Sequence, residues 1–425
     1  MKIAFHTLGC KVNQYETESL REQFLGEGYE IVGENDHADV YVINTCTVTG
    51  LADRKSRQYI RRMKKLNPDS LIVVTGCYVQ ISPDDVADIP QVDIIAGTNE
   101  KHKIPGYVRD FDPAASNRHV LERDDLSEYE ETGPVTSMES RTRAYIKIEE
   151  GCDRFCSYCV IPYARGPVRC RDEKDILEEA EKLVGSGFRE LILTGINTAL
   201  YSDLPGLLDK LDRMEGDFRV RLSSLEPTVA DKSFIEELFR SKRLCHHLHL
   251  SMQSGSDRIL KAMDRPYSRE QYFEIVDTIR DFDPLYGITT DMIAGFPGET
   301  EEDHQMSLEA VERSGFGKVH AFRFSARPGT KAERMKDQTD PSEKKKRLGE
   351  LMDRGSAAAE DFLKKNIGTK ARVLFESSDR NEGYISGYSD NYIKVYADDG
   401  CTPENGFADV LIEELYKDGV YGKVV

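Results

Sequence analysis

Beyond residue 141 six apolar runs recur, each followed by a helical stretch: "AYIKIEEGC", "ELILTGIN", "RVRLSSLEP", "HLHLSMQSG", "ITTDMIAGFPG" and "KVHAFRFSARPGT". Strands separated by helices pair in parallel, because the crossover needs a dozen or more residues and packs back on the sheet with one hand. Six such units predict an open, incomplete (β/α) barrel whose chemistry sits at the carboxyl ends of its strands.

Shorter alternation comes first. Across residues 1–110 the runs "KIAFHTLG", "DVYVINTC", "SLIVVTGC" and "VDIIAGT" alternate with helical segments, which predicts a small doubly wound parallel sheet and an overall α/β class. Residues 111–140 are acidic and poor in large apolar side chains, and read as a linker or extended arm. The six-unit region, 141–365, ends in the helix "SEKKKRLGELMDRGSAAAEDFLKKN"; residues 366–425 change to short strands and turns, the pattern of a small antiparallel barrel. A chain of 425 residues with 39% hydrophobic and 32% charged residues suits several soluble globular domains. The longest uncharged runs, such as Ser70 to Pro83, are too short to span a bilayer, and the N-terminal apolar stretch is too short for a signal peptide. A cytoplasmic location without a membrane partner is therefore expected. The net charge of −18 requires any nucleic-acid contact to use a local basic patch.

Nine cysteines in such a chain argue for reduced thiols, buried or metal-bound, over a disulfide framework. "GCDRFCSYC" spaces Cys152, Cys156 and Cys159 as C-x3-C-x2-C at the end of the first barrel strand. Structural zinc usually takes four protein ligands in two C-x2-C pairs, and no second pair exists. Three thiolates suit a cubane 4Fe-4S cluster with one iron left open, where S-adenosylmethionine can chelate through its amino and carboxylate groups. Cys10, Cys46 and Cys77 each directly follow an apolar strand of the first domain. Ligands of open parallel sheets collect at that edge, so these thiols are expected to converge as a second three-thiolate site. Cys170, Cys245 and Cys401 have no spaced partner, and His246, His247 and His249 read as strand residues divided between core and surface.

Residues 53–66, "DRKSRQYIRRMKKL", hold seven Lys/Arg against one Asp. Helical spacing lines up Arg54, Arg57, Arg61 and Lys64 or Lys65 on one face, away from Ile60 and Met63, as a candidate RNA contact.

The C-x3-C-x2-C motif, with Tyr158 before its last cysteine, resembles the signature of the radical-SAM enzymes. Together with "FHTLGCKVNQYETE", "YVINTCTVT", "VVTGCYVQ" and "GCDRFCSYCVIPYARG", the whole chain resembles the radical-SAM methylthiotransferase family, most closely its tRNA threonylcarbamoyladenosine group. The tail resembles a TRAM module, a small RNA-binding barrel, although from Asn366 onward six Lys/Arg face eleven Asp/Glu, a net of −5. Tyr384, Tyr388, Tyr392 and Tyr396 are its candidate stacking or core residues.

The resemblance implies two 4Fe-4S clusters, with S-adenosylmethionine as both radical source and methyl donor, and addition of a methylthio group to carbon 2 of N6-threonylcarbamoyladenosine beside the anticodon. The C–H bond there resists acid–base chemistry, so a cofactor-derived radical must replace its hydrogen. Tyr158, Thr194, Gly195, Asn197, Glu226, Gln253, Ser254 and Gly295, with Gly298 nearby, become cosubstrate contacts on the barrel rim. Arg165, Arg169 and Arg327 become candidates for the substrate carboxylate. The implied partners are the tRNA anticodon loop, an electron donor such as flavodoxin or ferredoxin, and a sulfur source. Isopentenyladenosine or a ribosomal-protein aspartate are alternative targets within the family. An iron–sulfur electron carrier or an RNA-binding scaffold is the alternative outside it.

Overall fold

The computed structural model describes all residues except 48–49, 132, 134, 137–141, 228–230, 380–382 and 401–403. The N-terminal unit contains β1 (Lys2–Thr7), α1 (Lys11–Gly26), β2 (Glu30–Val32), β3 (Val40–Thr45), α2 (Gly50–Leu66), β4 (Leu71–Gly76), α3 (Cys77–Ile81), β5 (Ile94–Ala96) and β6 (Arg118–His119). They form one parallel sheet in the order β2-β1-β3-β4-β5-β6. Alternate residues of its central strands supply two separate cores, Tyr41, Ile43 and Val74 on one face and Val40, Val42 and Val73 on the other. Helices cover both faces, which is why β3 is buried at every position. The order reverses between β1 and β3, the switch point where such sheets bind ligands. The stretch expected as a linker instead donates β6, an added edge strand for this sheet.

The central unit strings β7 (Arg143–Lys147), β10 (Glu190–Thr194), β11 (Arg219–Leu222) with β12 (Ser224–Leu225), β13 (His247–Leu250), β14 (Gly287–Ala294) and β15 (Lys318–Arg323) in sequence order, all parallel. Between β7 and β10, β8 (Glu149–Glu150) and β9 (Arg169–Cys170) pair as a short antiparallel ribbon. The third run breaks at Ser223, so its halves belong to two sheets, β11-β10-β7 and β12-β13-β14-β15. This is the expected open six-unit barrel, with β7 and β15 as its edges. Ala144, Ile146, Leu191, Val220, Leu248 and Met292 point outward into one large core under the helices. The strand period then turns Arg143, Tyr145, Lys147, Glu190, Arg221, His247, His249 and Asp291 to the concave inner face.

The C-terminal strands β16 (Lys370–Asp379), β17 (Tyr384–Ser389), β18 (Lys394–Asp398), β19 (Phe407–Tyr416) and β20 (Gly419–Val424) close into a five-stranded barrel. It caps the amino ends of the central strands. Arg219 donates to Tyr388 O at 2.9 Å, Arg221 to Asp390 O at 3.0 Å, and Arg143 pairs with Glu376 at 2.8 Å. Tyr388 and Tyr392 lie under the Arg143 and Arg221 guanidiniums, at 5.0 and 4.7 Å, so these two rings plug the barrel. Tyr384 and Tyr396 instead gather around Tyr416.

Candidate active site at two cysteine triads

Cys10, Cys46 and Cys77 lie at the carboxyl ends of β1, β3 and β4, three neighbouring strands. A side chain on Gly9, at φ +107, would stand 2.8 Å from Cys46 Cβ and 2.9 Å from its Sγ, so glycine brings the Cys10 loop onto Cys46. Asn13 ties the loops together by donating to Leu8 O at 2.7 Å and Thr45 O at 3.0 Å. Cys46 and Cys77 are buried while Cys10 is open at the mouth. Surrounding protein still desolvates and raises the Cys10 thiol, and the Arg165 charge opposes that rise.

Cys152, Cys156 and Cys159 occupy the loop after β8. Gly151, at φ +90, lies so close to Pro167 O that no side chain fits, and Phe155 takes an unusual φ of 39°. Backbone bonds from Cys152 to Gly166 O (3.1 Å) and from Cys159 to Cys156 O (2.9 Å) shape the loop. Burial pushes Cys152 up to about 11 and Cys159 up to about 12, with the Cys156 charge adding to both. Such thiols ionise against a metal's charge. No group of three His, Cys, Asp or Glu among the described residues converges on one ion. A cubane does not require that, since each thiolate takes its own iron.

Thr194, Gly195, Asn197 and Glu226 meet on the rim beside this loop. Asn197 N donates to Glu149 Oε2 at 2.9 Å, Glu226 N donates to Asn197 Oδ1 at 3.1 Å, and Arg265 pairs with Glu226 at 3.1 Å. Glu149 Oε1, Asn197 Nδ2 and Ser223 Oγ are buried without hydrogen-bond partners. Buried polar groups are normally satisfied, so these sockets fit the amino, carboxylate and hydroxyl groups of S-adenosylmethionine. Burial pushes the Glu149 carboxyl up to about 8. Gln253, at φ 66°, is fixed in the same rim by bonds to Asp291 O and from Ile293 N. Three of the expected contacts also have structural work. Ser254 is buried against Ser307; a side chain on Gly295 would collide with Lys344; Tyr158 packs edge-on against Phe296, with ring centres 6.4 Å apart.

A buried charge cluster joins the triads. Arg165 ends the short helix Ile161–Arg165 that follows Cys159, and its Nε donates to Cys77 Sγ at 3.2 Å. The Arg165 guanidinium also binds Glu16, Asn13 and, at 2.7 Å, Glu150. Lys101 pairs with Glu16, while Lys147 lies 2.9 Å from Glu150 and 3.4 Å from Glu16. Burial alone would raise the Glu16 carboxyl, but Arg165, Lys101 and Lys147 outweigh it and hold it well below the usual range. The sequence analysis missed these residues; the signal was charge inside otherwise apolar elements, as in "YIKIEEGC".

The same cluster revises the substrate arginines. Arg165 is 0% exposed and committed to protein partners; Arg169 binds Asn99, Glu128 O and Arg165 O. Arg327 joins Thr47 at 2.6 Å and Asp53 at 2.7 Å, pinning α2 to the barrel beside Cys46. On α2, Arg57 is bonded to the Tyr78 hydroxyl and Lys64 to Ser70 O and Asp93, which removes both from the expected RNA face. Arg54, Lys55, Arg61, Arg62 and Lys65 remain exposed, and Ile60 and Met63 are buried as spaced. Cys170 and Cys245 lie apart from both triads, and Cys401 lies outside the described residues. His247 and His249, expected on opposite sides, are two residues apart and share the inner face, both bonded to Thr289.

Residues 2–97 match the family described as Uncharacterized protein family UPF0004, and residues 146–311 match the Radical SAM superfamily. A Bacillus subtilis protein named threonylcarbamoyladenosine tRNA methylthiotransferase MtaB is 40% identical over 92% of this chain and 89% of its own length. This chain belongs to the radical-SAM tRNA methylthiotransferase family. A family member from Jannaschia, named tRNA-2-methylthio-N(6)-dimethylallyladenosine synthase, is 33% identical over 100% of the chain and 94% of its own length. The radical S-adenosylmethionine methyltransferase TsrM of Kitasatospora setae shares the fold, with a TM-score of 0.58 and 15% identity over 75% of this chain and 72% of that one. No helix among the described residues is long and apolar enough to cross a membrane.

Proposed function

We propose that this methylthiotransferase acts on N6-threonylcarbamoyladenosine at position 37 of tRNA, adding a methylthio group at carbon 2 and using two 4Fe-4S clusters and two S-adenosylmethionine molecules per product. The 40% identity to the Bacillus subtilis protein named for that substrate carries the reading. Cys152, Cys156 and Cys159 would hold the first cluster; Cys10, Cys46 and Cys77 would hold the second. When bound, the first cluster and S-adenosylmethionine supply the radical chemistry that an unactivated C–H bond requires.

The chain's own residues arrange the partners. Glu149, Thr194, Asn197 and Glu226 offer polar contacts to the methionyl and ribose groups. Arg165, held by Glu16, fixes Cys77 of the second triad against the helix that follows the first. The adenine must leave its stack to enter this cleft, and the exposed rings of Phe155 and Tyr163, 5.6 Å apart beside the first triad, suit the flanking bases. The exposed cations of α2 would hold the phosphates, a reductant such as flavodoxin or ferredoxin and a sulfur source complete the cycle, and the setting is cytoplasmic. The test is anaerobic product analysis with reconstituted enzyme on tRNA bearing threonylcarbamoyladenosine or isopentenyladenosine. Methylthiolation of the first and essentially none of the second is expected; comparable rates on both would refute the substrate.

A further inference from the structure

The cations around the two triads have carboxylate partners: Lys101, Lys147 and Arg165 in the Glu16–Glu150 cluster, Arg154 and Arg265 at Glu226, and Arg327 at Asp53. Lys11 differs. It follows Cys10, opens α1, is half-buried, and has no hydrogen-bond or ion-pair partner among the described residues. Helical spacing places it on the α1 face that carries Gln14, Glu18 and Arg21. Beyond Lys11, the Gln14, Glu18 and Arg21 side chains of that face line, with Thr7 and Tyr145, a cavity of about 450 Å³ between the N-terminal sheet and the first barrel strand.

Tyr145 belongs to the concave inner face of the barrel, which also carries polar groups without an assigned role. His249 is bonded to Thr289 at 2.9 Å and Asp291 at 3.2 Å, and His320 lies 5.8 Å from it, ring centre to ring centre. The helix α1 lies across the first barrel strand, with Glu16 3.4 Å from Lys147, and the Lys11 charge acts on His247 and His320 of the inner face. The carboxylate whose charge acts on Lys11, Glu190, is already held by Arg219 and Arg221, and a half-buried ammonium so placed is costly unless a ligand supplies an anion. Because Lys11 adjoins Cys10, whatever it holds lies beside the second triad.

We propose that Lys11 recognises the carboxylate of the threonylcarbamoyl group and so selects an anionic N6 substituent over an apolar one. The inference rests on the threonylcarbamoyladenosine reading above and assigns its specificity to one residue. The hydroxyl and urea-like amide of the same group would meet the polar inner face around His249 and His320. An isopentenyl group would leave the amine unpaired, the arrangement by which polar sites reject apolar analogues.

The test measures binding of two synthetic anticodon stem-loops to the cluster-loaded full chain by fluorescence anisotropy. The RNAs are identical except for threonylcarbamoyladenosine or unmodified adenosine at position 37. Wild type is expected to prefer the modified RNA by about 10- to 100-fold, the worth of a charge-assisted hydrogen bond. Lys11→Gln should bring that ratio close to one by weakening only the modified RNA, and Lys11→Arg should keep most of the preference. The ratio is its own control for a misfolded or cluster-poor variant, since such damage weakens both RNAs alike. A wild-type preference that survives Lys11→Gln, or an equal loss on both RNAs, overturns the role of Lys11 and leaves the substrate reading intact. A wild type that shows no preference and modifies isopentenyladenosine tRNA overturns the substrate reading itself.

Discussion

Replacing Arg165 by Met should destabilise the apo-protein less than replacing Glu16 by Gln, although Arg165 makes more contacts. The buried cluster holds two carboxylates, Glu16 and Glu150, against Lys101, Lys147 and Arg165. Breaking a buried pair costs about 3–5 kcal/mol, mostly from the charge left behind. Arg165→Met leaves two carboxylates facing two lysines, with Arg169 at 3.9 Å from Glu150, a nearly balanced remainder, so its cost falls near the lower end, about 3 kcal/mol. Glu16→Gln leaves Glu150 alone against Lys101, Lys147, Arg165 and Arg169, which places it near the upper end, about 5 kcal/mol. In urea unfolding, with a slope of about 3 kcal/mol per M, the midpoints should fall by about 1 M and 1.7 M. The double variant should cost clearly less than the sum, because the second change removes part of the imbalance created by the first. A larger cost for Arg165→Met, or additivity within about 0.5 kcal/mol, would refute the reasoning.

Cys156→Ala should abolish cleavage of S-adenosylmethionine, whereas Cys46→Ala should keep uncoupled cleavage and yield no methylthio product, each retaining roughly one cubane's iron; equal loss of both clusters in either variant would contradict separate sites. Cys170→Ser, Cys245→Ser and Cys401→Ser should leave iron content unchanged by elemental analysis. Arg61→Gln should flatten the salt dependence of tRNA binding by about one unit of slope, while Lys64→Gln, a residue tied to Ser70 and Asp93, should leave the slope unaltered. Burial raises the folded Glu149 carboxyl from 4.5 to about 8, so the stability it contributes is present below pH 4.5 and is lost as pH rises to about 8. Apo-protein unfolding measured across that window should lose this slope in Glu149→Gln.

The sequence by itself determined the parts whose causes are local or periodic. Apolar runs at strand length, separated by helices, specify parallel sheets, and a cysteine directly after such a run must stand at a strand's carboxyl end. Both triads and the three-unit order followed from that rule. It also set Ile60 and Met63 against the sheet, because a 3.6-residue period sorts faces without reference to partners.

Tertiary structure decided what each exposed-looking charge meets. Arg165, Arg169 and Arg327 read as substrate ligands because arginine suits carboxylates, but sequence does not say whose carboxylate. Glu16 lies 149 positions before Arg165, and Asp53 lies 274 before Arg327. Gly295 reads as a rim contact for the cosubstrate, and only the fold shows that a side chain there would meet Lys344 on the closing helix. Lys11 looks like an ordinary first-turn lysine until α1 is laid across the open edge of the barrel. Burial and pairing are long-range properties, since the groups that desolvate or neutralise a charge arrive from elements far away in the chain, and only the assembled domains show which cation is left without an anion.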